Sequence, residues 1–262
     1  MTMKRKWLLL ILLALLLPMM AHALNAEIDG IYYNLSGNEA EVISSGNSED
    51  CTKYSGAIVI PELVNYNGKI YTVTSIGNEA FSFCGDLTSV TIPGSVKTIK
   101  ESAFWYTLNL ESVELSMGLE TICDGAFAVC GKVKSFNIPE SVTEIGRSAF
   151  AGCWELSSIN IPQNIKIIKE WTFADCGKLE EIVLPDELTI IDNGAFENCY
   201  KLKSITFPAT LTAINNGAFY CCIGLTSVTS FILEPFEIEE VTFLDGWERF
   251  TSATLYVPGG TI

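Results

Sequence analysis

Residues 145–167 read IGRSAFAGCWELSSINIPQNIKI, and this stretch is one copy of a repeat that fills most of the 262-residue chain. Its Ala-Phe pair returns at every 23rd position, with no insertion or deletion between copies. The seven pairs are Ala80-Phe81, Ala103-Phe104, Ala126-Phe127, Ala149-Phe150, Thr172-Phe173, Ala195-Phe196 and Ala218-Phe219. Self-similarity at a period of about 20–50 residues indicates a repeat architecture in which each copy stacks on its neighbours.

Other positions keep the same phase and divide each repeat into three parts. An Ile lies four residues before every pair, and a Leu or Val lies six residues after every Phe. The next segment, residues 156–161 in the quoted copy, alternates apolar and polar side chains, which predicts a strand with one solvated face. A Pro ends this strand in five repeats, because Pro cannot donate a ladder hydrogen bond. A second short extended stretch, residues 142–145, precedes the turn that holds the pair.

This pattern predicts a repeat solenoid that is mainly β, a right-handed superhelix of seven 23-residue rungs with short helical turns and β caps. Here a rung is one 23-residue turn, and a column is the set of residues at one position in successive rungs. The repeats place the solenoid at residues 76–230. The flanks do not match the repeat, so residues 24–75 are predicted to form an N-terminal β cap and residues 231–262 a shortened C-terminal cap. Within the first cap, Asn67-Gly68 predicts a hairpin turn.

Residues 1–23 have the pattern of a secretory signal peptide. Lys4-Arg5-Lys6 form a basic segment, residues 7–17 are an unbroken apolar run, and residues 21–23 read Ala-His-Ala, a small-x-small cleavage pattern. The apolar run is too short for an ordinary membrane span. The sequence therefore predicts an exported protein, either secreted or at the cell surface or periplasm of a Gram-negative bacterium.

Cleavage would remove the single His of the chain together with three basic and no acidic residues, so the formal charge would fall from −15 to −18. A chain without His lacks the base of Ser-His-Asp and Cys-His catalysis and the imidazole ligands of many zinc sites. Strong acidity disfavours nucleic acids and anionic membrane surfaces as partners. We therefore predict a protein that is not an enzyme and has no catalytic residues, no metal site and no cofactor.

Six of the nine cysteines occupy one column, three residues after the Phe, and Thr107 fills the remaining slot. Neighbouring rungs lie about 4.8 Å apart, whereas disulfide Cβ atoms approach to about 3.8 Å. Column cysteines are therefore predicted to be buried free thiols that pack as small hydrophobes. Cys51, Cys123 and Cys221 lie outside the column and are the better disulfide candidates.

The consensus I-x-x-x-A-F-x-x-C-x-x-L-x-x-I-x-I-P resembles the BspA-type (Treponema pallidum-type) leucine-rich repeat over residues 76–228. The motifs DGIYY at 29–33 and LYVP at 255–258 resemble the flanks of Bacteroides members of that family. The resemblance implies a leucine-rich-repeat solenoid and a non-catalytic binding module that is exported or on the cell surface. It further implies adhesion to host matrix proteins or to other bacteria, but it supplies no defined set of ligand-binding residues.

Two sets of residues are candidates for binding. One is the outward face of the repeat strands, and the other consists of aromatic residues next to the Ala-Phe and Cys columns, because Trp and Tyr often anchor interfaces. The candidates are Trp105, Tyr106, Trp154, Trp171, Tyr200, Tyr220, Glu111, Glu114, Lys134, Glu180, Glu181 and Lys203.

Three functional hypotheses follow. The preferred one is an exported protein-protein interaction module that adheres to host matrix or bacterial surface proteins through an extended patch. The first alternative is a glycan-binding protein of the cell surface, which would present aligned aromatic residues. The second alternative is a structural solenoid that associates end to end through unprotected terminal strands. The identity of the ligand is not specified by the sequence.

Overall fold

The computed structural model describes residues 24–46, 51, 53–232, 234, 236–238, 240–244 and 254–256, so the predicted signal peptide lies outside the described residues. These residues form a β-solenoid of about seven turns. A single 3-10 helix occurs among them, at Glu240–Phe243. The strands are β1 (Leu24–Ile28), β2 (Ile31–Ser36), β3 (Glu39–Val42), β4 (Gly56–Val59), β5 (Leu63–Tyr66), β6 (Lys69–Ile76), β7 (Leu87–Ile92), β8 (Thr98–Ile99), β9 (Ser112–Leu115), β10 (Thr121–Ile122), β11 (Ser135–Phe136), β12 (Glu144–Ile145), β13 (Ser158–Ile159), β14 (Ile167–Ile168), β15 (Ile190–Ile191), β16 (Ser204–Phe207), β17 (Ala213–Ile214), β18 (Ser227–Ser230) and β19 (Thr254–Tyr256).

Parallel strands stack along the solenoid in two rows. In the row that precedes each Phe, an eight-stranded sheet runs from β1 to β12, and β14, β15 and β17 form a separate three-stranded sheet. In the row that follows each Phe, the sheets are β4-β7-β9, β11-β13 and β16-β18-β19. Partners such as Ile122 and Ile145 occupy equivalent positions in adjacent rungs, so the strand register follows the sequence period.

The N-terminal strands join the solenoid directly. β1, β2 and β3 form an antiparallel meander, and β3 then pairs in parallel with β6. β5 and β6 form the predicted hairpin, whose turn residues Asn67 and Gly68 both have positive φ, at 52° and 83°. Two consecutive positive φ angles are required by a type I′ turn, which explains the Asn-Gly pair. The N-terminal strands therefore continue the sheet of the first rung.

A stack of phenylalanine rings forms the centre of the core. The seven column Phe side chains are buried, and successive ring centroids lie 4.9–5.8 Å apart with interplanar angles of 6–14°. Tyr54 extends the stack at the N-terminal end, 4.6 Å from Phe81, and Phe243 extends it at the other end, 5.1 Å from Phe219. Phe243 lies within the predicted C-terminal cap, so the stack continues past residue 230. Phe243 follows Phe219 by 24 residues instead of 23, so the repeat period alone does not identify it.

The turn around each Phe is held by alternating hydrogen bonds rather than by a regular helix. In the rung of Phe150, the amides of Ser148, Phe150 and Gly152 donate to carbonyl oxygens of the next rung at 2.8–2.9 Å. The intervening amides of Ala151 and Cys153 donate within the rung, to the carbonyl three residues earlier. The structure thus refines the predicted short helical turns into a ladder in which every second amide connects adjacent rungs.

This alternation depends on left-handed backbone at two positions per rung, two residues before and two residues after the Phe. All fourteen residues at these positions have φ between 51° and 70°. Only four of them are Gly; the others include Val129 and Trp171, although this conformation costs a residue with a Cβ atom about 1–2 kcal/mol. The cost is offset because a left-handed residue turns alternate amides towards the neighbouring rung, where they form hydrogen bonds.

The cysteine column serves the same ladder. The buried thiols of Cys130, Cys153, Cys176, Cys199 and Cys222 remain unpaired, and each donates to the carbonyl oxygen of the Phe one rung earlier at 3.0–3.3 Å. Thr107 places its hydroxyl oxygen 3.0 Å from the equivalent carbonyl of Phe81. Burial raises the pKa of Cys153 to about 12, so the thiol keeps its proton and remains a donor. The prediction of buried free thiols is confirmed for these five residues.

The prediction is wrong for Cys84, which forms a disulfide with Cys51. Their Cα atoms are 4.5 Å apart, and 33 residues separate them in sequence. Cys84 belongs to the first rung, so no earlier repeat presents a Phe carbonyl to its sulfur. Cys51, one of the predicted disulfide candidates, precedes the repeats and is not restricted to the rung spacing, so its sulfur can reach bonding distance. The bond attaches the N-terminal segment to the solenoid, whereas Cys123, another candidate, forms no disulfide.

We predict that Phe150→Ala lowers the free energy of unfolding by about 3–5 kcal/mol, because it removes a ring packed between Phe127 and Phe173 and leaves a cavity. Chemical denaturation followed by circular dichroism measures the change. Phe231→Ala is the matched control, since the Phe231 ring is about half exposed, and it should cost less than about 1 kcal/mol. Equal losses in the two variants would contradict the central role of the stack.

Candidate functional site

The aromatic candidates lie at the surface or close to it. Trp105, Tyr106, Trp154, Trp171 and Tyr200 are exposed by 38–49%, and Tyr220 is half buried. Three of them lie against a glycine one rung away, in the same column. A Cβ atom added to Gly131 would lie 2.6 Å from Trp154, and one added to Gly194 would lie 2.4 Å from Trp171. Glycine in one rung therefore makes room for a large ring in an adjacent rung.

Trp105 and Tyr106 form an aromatic cluster with Phe83. The Phe83 ring centroid lies 4.8 Å from that of Trp105 and 5.2 Å from that of Tyr106. Sequence reasoning missed Phe83, although it occupies the Tyr106 column one rung earlier. Part of this aromatic surface is used for internal packing, and the remainder faces solvent.

One shallow groove of about 840 Å³ is lined by three of the candidates, Trp154, Glu111 and Lys134. Asn109 and Glu155 also line it. Glu155 is already engaged, because its carboxylate accepts a hydrogen bond from Lys178 at 2.6 Å, which holds the pKa of Glu155 below its usual value. The groove thus presents one large ring with amide and charged groups beside it, and we refer to it as the Trp154 groove.

The remaining charged candidates are not gathered into a site. Lys203 donates to Glu180 at 2.5 Å across adjacent rungs, and the two charges largely compensate each other. Glu114 accepts from Thr91 at 3.1 Å, and Glu181 lies exposed one residue beyond Glu180. Exposed ion pairs of this kind contribute little to stability.

Trp171 and Tyr220 line a second groove, of about 560 Å³, that crosses four successive rungs near the C-terminal end. Its lining residues are Trp171, Asn193, Gly194, Glu197, Asn216, Gly217, Tyr220 and Val241, and we refer to it as the Trp171 trough. Gly194 and Gly217 occupy the column of Trp171 in the next two rungs. The Trp171 ring occupies the space that a side chain at Gly194 would need, and the absence of a side chain at Gly217 leaves open space beside Tyr220.

Glu197 lies in the Trp171 trough and was not among the sequence candidates. It is half buried, and burial followed by the nearby charge of Asp175 raises the pKa of its carboxyl group above the usual value. Glu197 is the one charged residue in a column that otherwise holds Ser, Trp, Ala and Tyr. That departure was visible in the sequence, but only the structure shows that the residue lies beside Trp171 and Tyr220.

A third groove, of about 450 Å³, is lined by Lys100, Thr121, Cys123 and Glu144 among others. Burial, together with Glu144 and Asp124, raises the pKa of the Cys123 thiol, so the thiolate that nucleophilic chemistry requires is disfavoured. Within the described ranges, no three or more His, Cys, Asp or Glu side chains are arranged to hold a metal ion. No helix in the same residues is long and apolar enough to span a bilayer.

The repeat itself decides the family. A model of the BspA type leucine rich repeat region matches the sequence in six copies, over residues 69–179 and 167–245. The chain belongs to this family. The predicted resemblance is therefore confirmed, and the matched region includes Thr242 and Phe243 at the end of the ring stack.

Solved structures of other leucine-rich-repeat proteins are similar to this one. The Treponema pallidum leucine-rich-repeat protein is 25% identical, with a TM-score of 0.65, covering 77% of this chain and 91% of that one. A Bacteroides ovatus leucine-rich-repeat protein is also 25% identical, with a TM-score of 0.41 and coverage of 89% and 78%. A leucine-rich cell surface protein from Faecalibacterium prausnitzii is 19% identical, with a TM-score of 0.33 and coverage of 90% and 95%. A search among curated proteins finds no significant match.

We predict that Glu197→Gln raises the melting temperature at pH 7. The raised pKa of Glu197 means that the folded state favours the protonated carboxyl group. At a pH above this pKa the carboxyl group is ionised in the folded protein, and the free energy of unfolding is therefore lower. The gain should shrink as the pH falls through the raised pKa, where the wild-type carboxyl also becomes neutral. Differential scanning calorimetry from moderately acidic to neutral pH measures both effects, provided that the range includes the ordinary Glu pKa of about 4.3.

The control for this prediction is Glu101→Gln, which removes the same charge from an exposed residue four rungs away. Its melting temperature should stay close to that of the wild type. A lower melting temperature for Glu197→Gln at pH 7 would mean that the ionised carboxylate stabilises the fold, contrary to this account.

Proposed function

We propose that this BspA-type leucine-rich-repeat protein is an exported, non-catalytic module that binds a protein ligand. Its predicted role is adhesion to host matrix proteins or to surface proteins of other bacteria. Residues 1–23 support export, and the family supports a position at the cell surface. We further propose that the solenoid presents the ligand surface and that the flanking segments act as its caps.

The exposure of tryptophan carries this proposal. Trp105, Trp154 and Trp171 lie in three different rungs and are exposed by 38–49%. A half-exposed indole leaves apolar surface in contact with water, and burying that surface against a ligand would favour binding. Trp is also among the residues that contribute most to the binding energy of protein interfaces. The aromatic surface is spread over several rungs, which suits an extended protein partner better than a small molecule.

The Trp154 groove is the proposed central contact. Glu111 and Lys134 flank the indole and supply one charge of each sign, which would orient a partner over the ring. Gly131 fixes the indole from beneath, because any side chain at that position would collide with it. A ring held in this way loses little conformational entropy when it is buried against a ligand.

We predict saturable binding of the purified protein to at least one immobilised host matrix or bacterial surface protein in a biolayer interferometry panel. Trp154→Ala should weaken that binding by about 2 kcal/mol or more, as expected for a central aromatic contact. The matched controls are Met117→Ala and Val183→Ala, which remove exposed apolar side chains that line neither Trp groove. They should leave the affinity unchanged.

The other hypotheses predict positive results in two other measurements. Binding to a glycan array without binding to any protein would favour a glycan receptor. Concentration-dependent association of the protein with itself, measured by sedimentation, would favour a structural solenoid. Equal effects of Trp154→Ala and Val183→Ala on protein binding would remove the Trp154 groove from the proposed contact.

A further inference from the structure

We propose that the Trp171 trough binds a basic side chain, a Lys or an Arg, that the protein ligand presents. This inference rests on the proposed function and specifies the chemistry of the partner at a second contact. The shape of the trough, the charge of its lining and the surroundings of Glu197 all favour such a ligand.

The trough has the shape of a slot for one long side chain. The Trp171 indole covers Gly194, Tyr220 lies in the rung of Gly217, and the backbone of Gly217 forms the floor between the two rings. Both glycines have left-handed φ, 58° and 65°, a conformation that glycine adopts without strain. A Cβ atom at Gly194 would lie 2.5 Å from Nε1 of Trp171 and 3.0 Å from Oε2 of Glu197. The indole and the carboxylate therefore converge on the same point of the slot.

The charge of the lining favours a cation. Among the described residues that line the trough, Glu197 is the one acid, and none is a Lys or an Arg. Asp175 lies close enough to act on Glu197. Two aromatic rings beside a carboxylate recognise an ammonium or guanidinium group by combined cation–π and Coulomb attraction. The formal charge of −15 draws basic partners towards the protein and repels anionic ones.

The carboxylate of Glu197 has no counter-charge among the residues that the structure describes. Elsewhere on the solenoid, Glu144, Glu155, Glu170 and Glu180 each pair with a Lys or Arg about one rung away. The neighbours of Glu197 in its own column are Ala174 and Tyr220, and neither carries a charge at neutral pH. A half-buried acid whose neighbours supply no cation is one that an incoming cation would stabilise.

A peptide with a single charge tests this directly. The probe is an acetylated and amidated pentapeptide with a central Arg between Gly residues, and the reference peptide carries neutral citrulline in place of that Arg. Titration into the purified protein is followed by the indole NH resonances in ¹⁵N-edited NMR. We expect the Trp171 resonance to shift, with an affinity about tenfold higher for the Arg peptide than for the citrulline peptide.

Variants locate the effect. With affinities measured by isothermal titration calorimetry, which does not depend on the Trp171 resonance, Glu197→Gln should reduce the affinity for the Arg peptide to that for the citrulline peptide, and Trp171→Ala should abolish binding. Trp171→Phe keeps an aromatic ring and should retain partial binding, which separates loss of contact from loss of fold. Glu101→Gln removes an equal charge four rungs away and should change the affinity by less than about twofold.

Three outcomes would overturn the inference: equal shifts with both peptides, shifts confined to Trp154, or equal losses in Glu197→Gln and Glu101→Gln. Binding of a neutral oligosaccharide instead of the Arg peptide would identify a sugar site and also overturn it. The proposed function can fail separately. If the trough binds the Arg peptide but the protein binds no surface protein, the proposed adhesion fails and the basic-side-chain site stands. If the protein binds a surface protein and Glu197→Gln does not change that binding, the proposed adhesion stands and the basic-side-chain site fails.

Discussion

The hydrogen bond from each column Phe amide to the next rung is the constraint on which the structure depends. Each amide donates to the carbonyl of the residue just before the next Phe of the stack, and all seven bonds are 2.7–2.9 Å long. They fix the vertical register, which brings the rings into one stack and sets the five column thiols from Cys130 to Cys222 against Phe carbonyls. Because buried backbone groups must be paired, a shift by one residue would leave a full turn of donors and acceptors unsatisfied.

The same register produces the candidate binding surfaces. Residues in one column lie directly over one another, so a glycine next to a tryptophan makes room for the ring, as Gly131 does for Trp154 and Gly194 does for Trp171. Gly217, one rung further, has no ring over it and leaves part of the Trp171 trough open. The core columns hold few residue types, whereas the positions beside them vary from rung to rung. A solenoid of this kind can therefore change its ligand by exchanging side chains next to the columns without disturbing the ladder that holds them.

The sequence predicts the periodic features well, because a fixed period determines both which residues are buried and which strands pair. The ring stack and the buried free thiols from Cys130 onwards follow from this period, whereas the Asn67-Gly68 hairpin follows from a local turn signal outside the repeat. Cys51 was a disulfide candidate, but its pairing with Cys84 was not predicted. Phe243, which joins the stack after one inserted residue, was not predicted either. Glu197 was missed because its meaning depends on Trp171, a side chain in another column and another rung, and no periodic pattern links the two.

The most direct test of the ladder is amide hydrogen exchange of the protein labelled with ¹⁵N-phenylalanine. We expect the seven column Phe amides to be the most slowly exchanging of the labelled set, because each is buried and donates to the next rung. Protection should be nearly uniform from Phe104 to Phe196, with faster exchange towards the two ends. Rapid exchange at several interior column Phe residues, at the rate of exposed amides, would contradict the register and with it the placement of both tryptophan grooves.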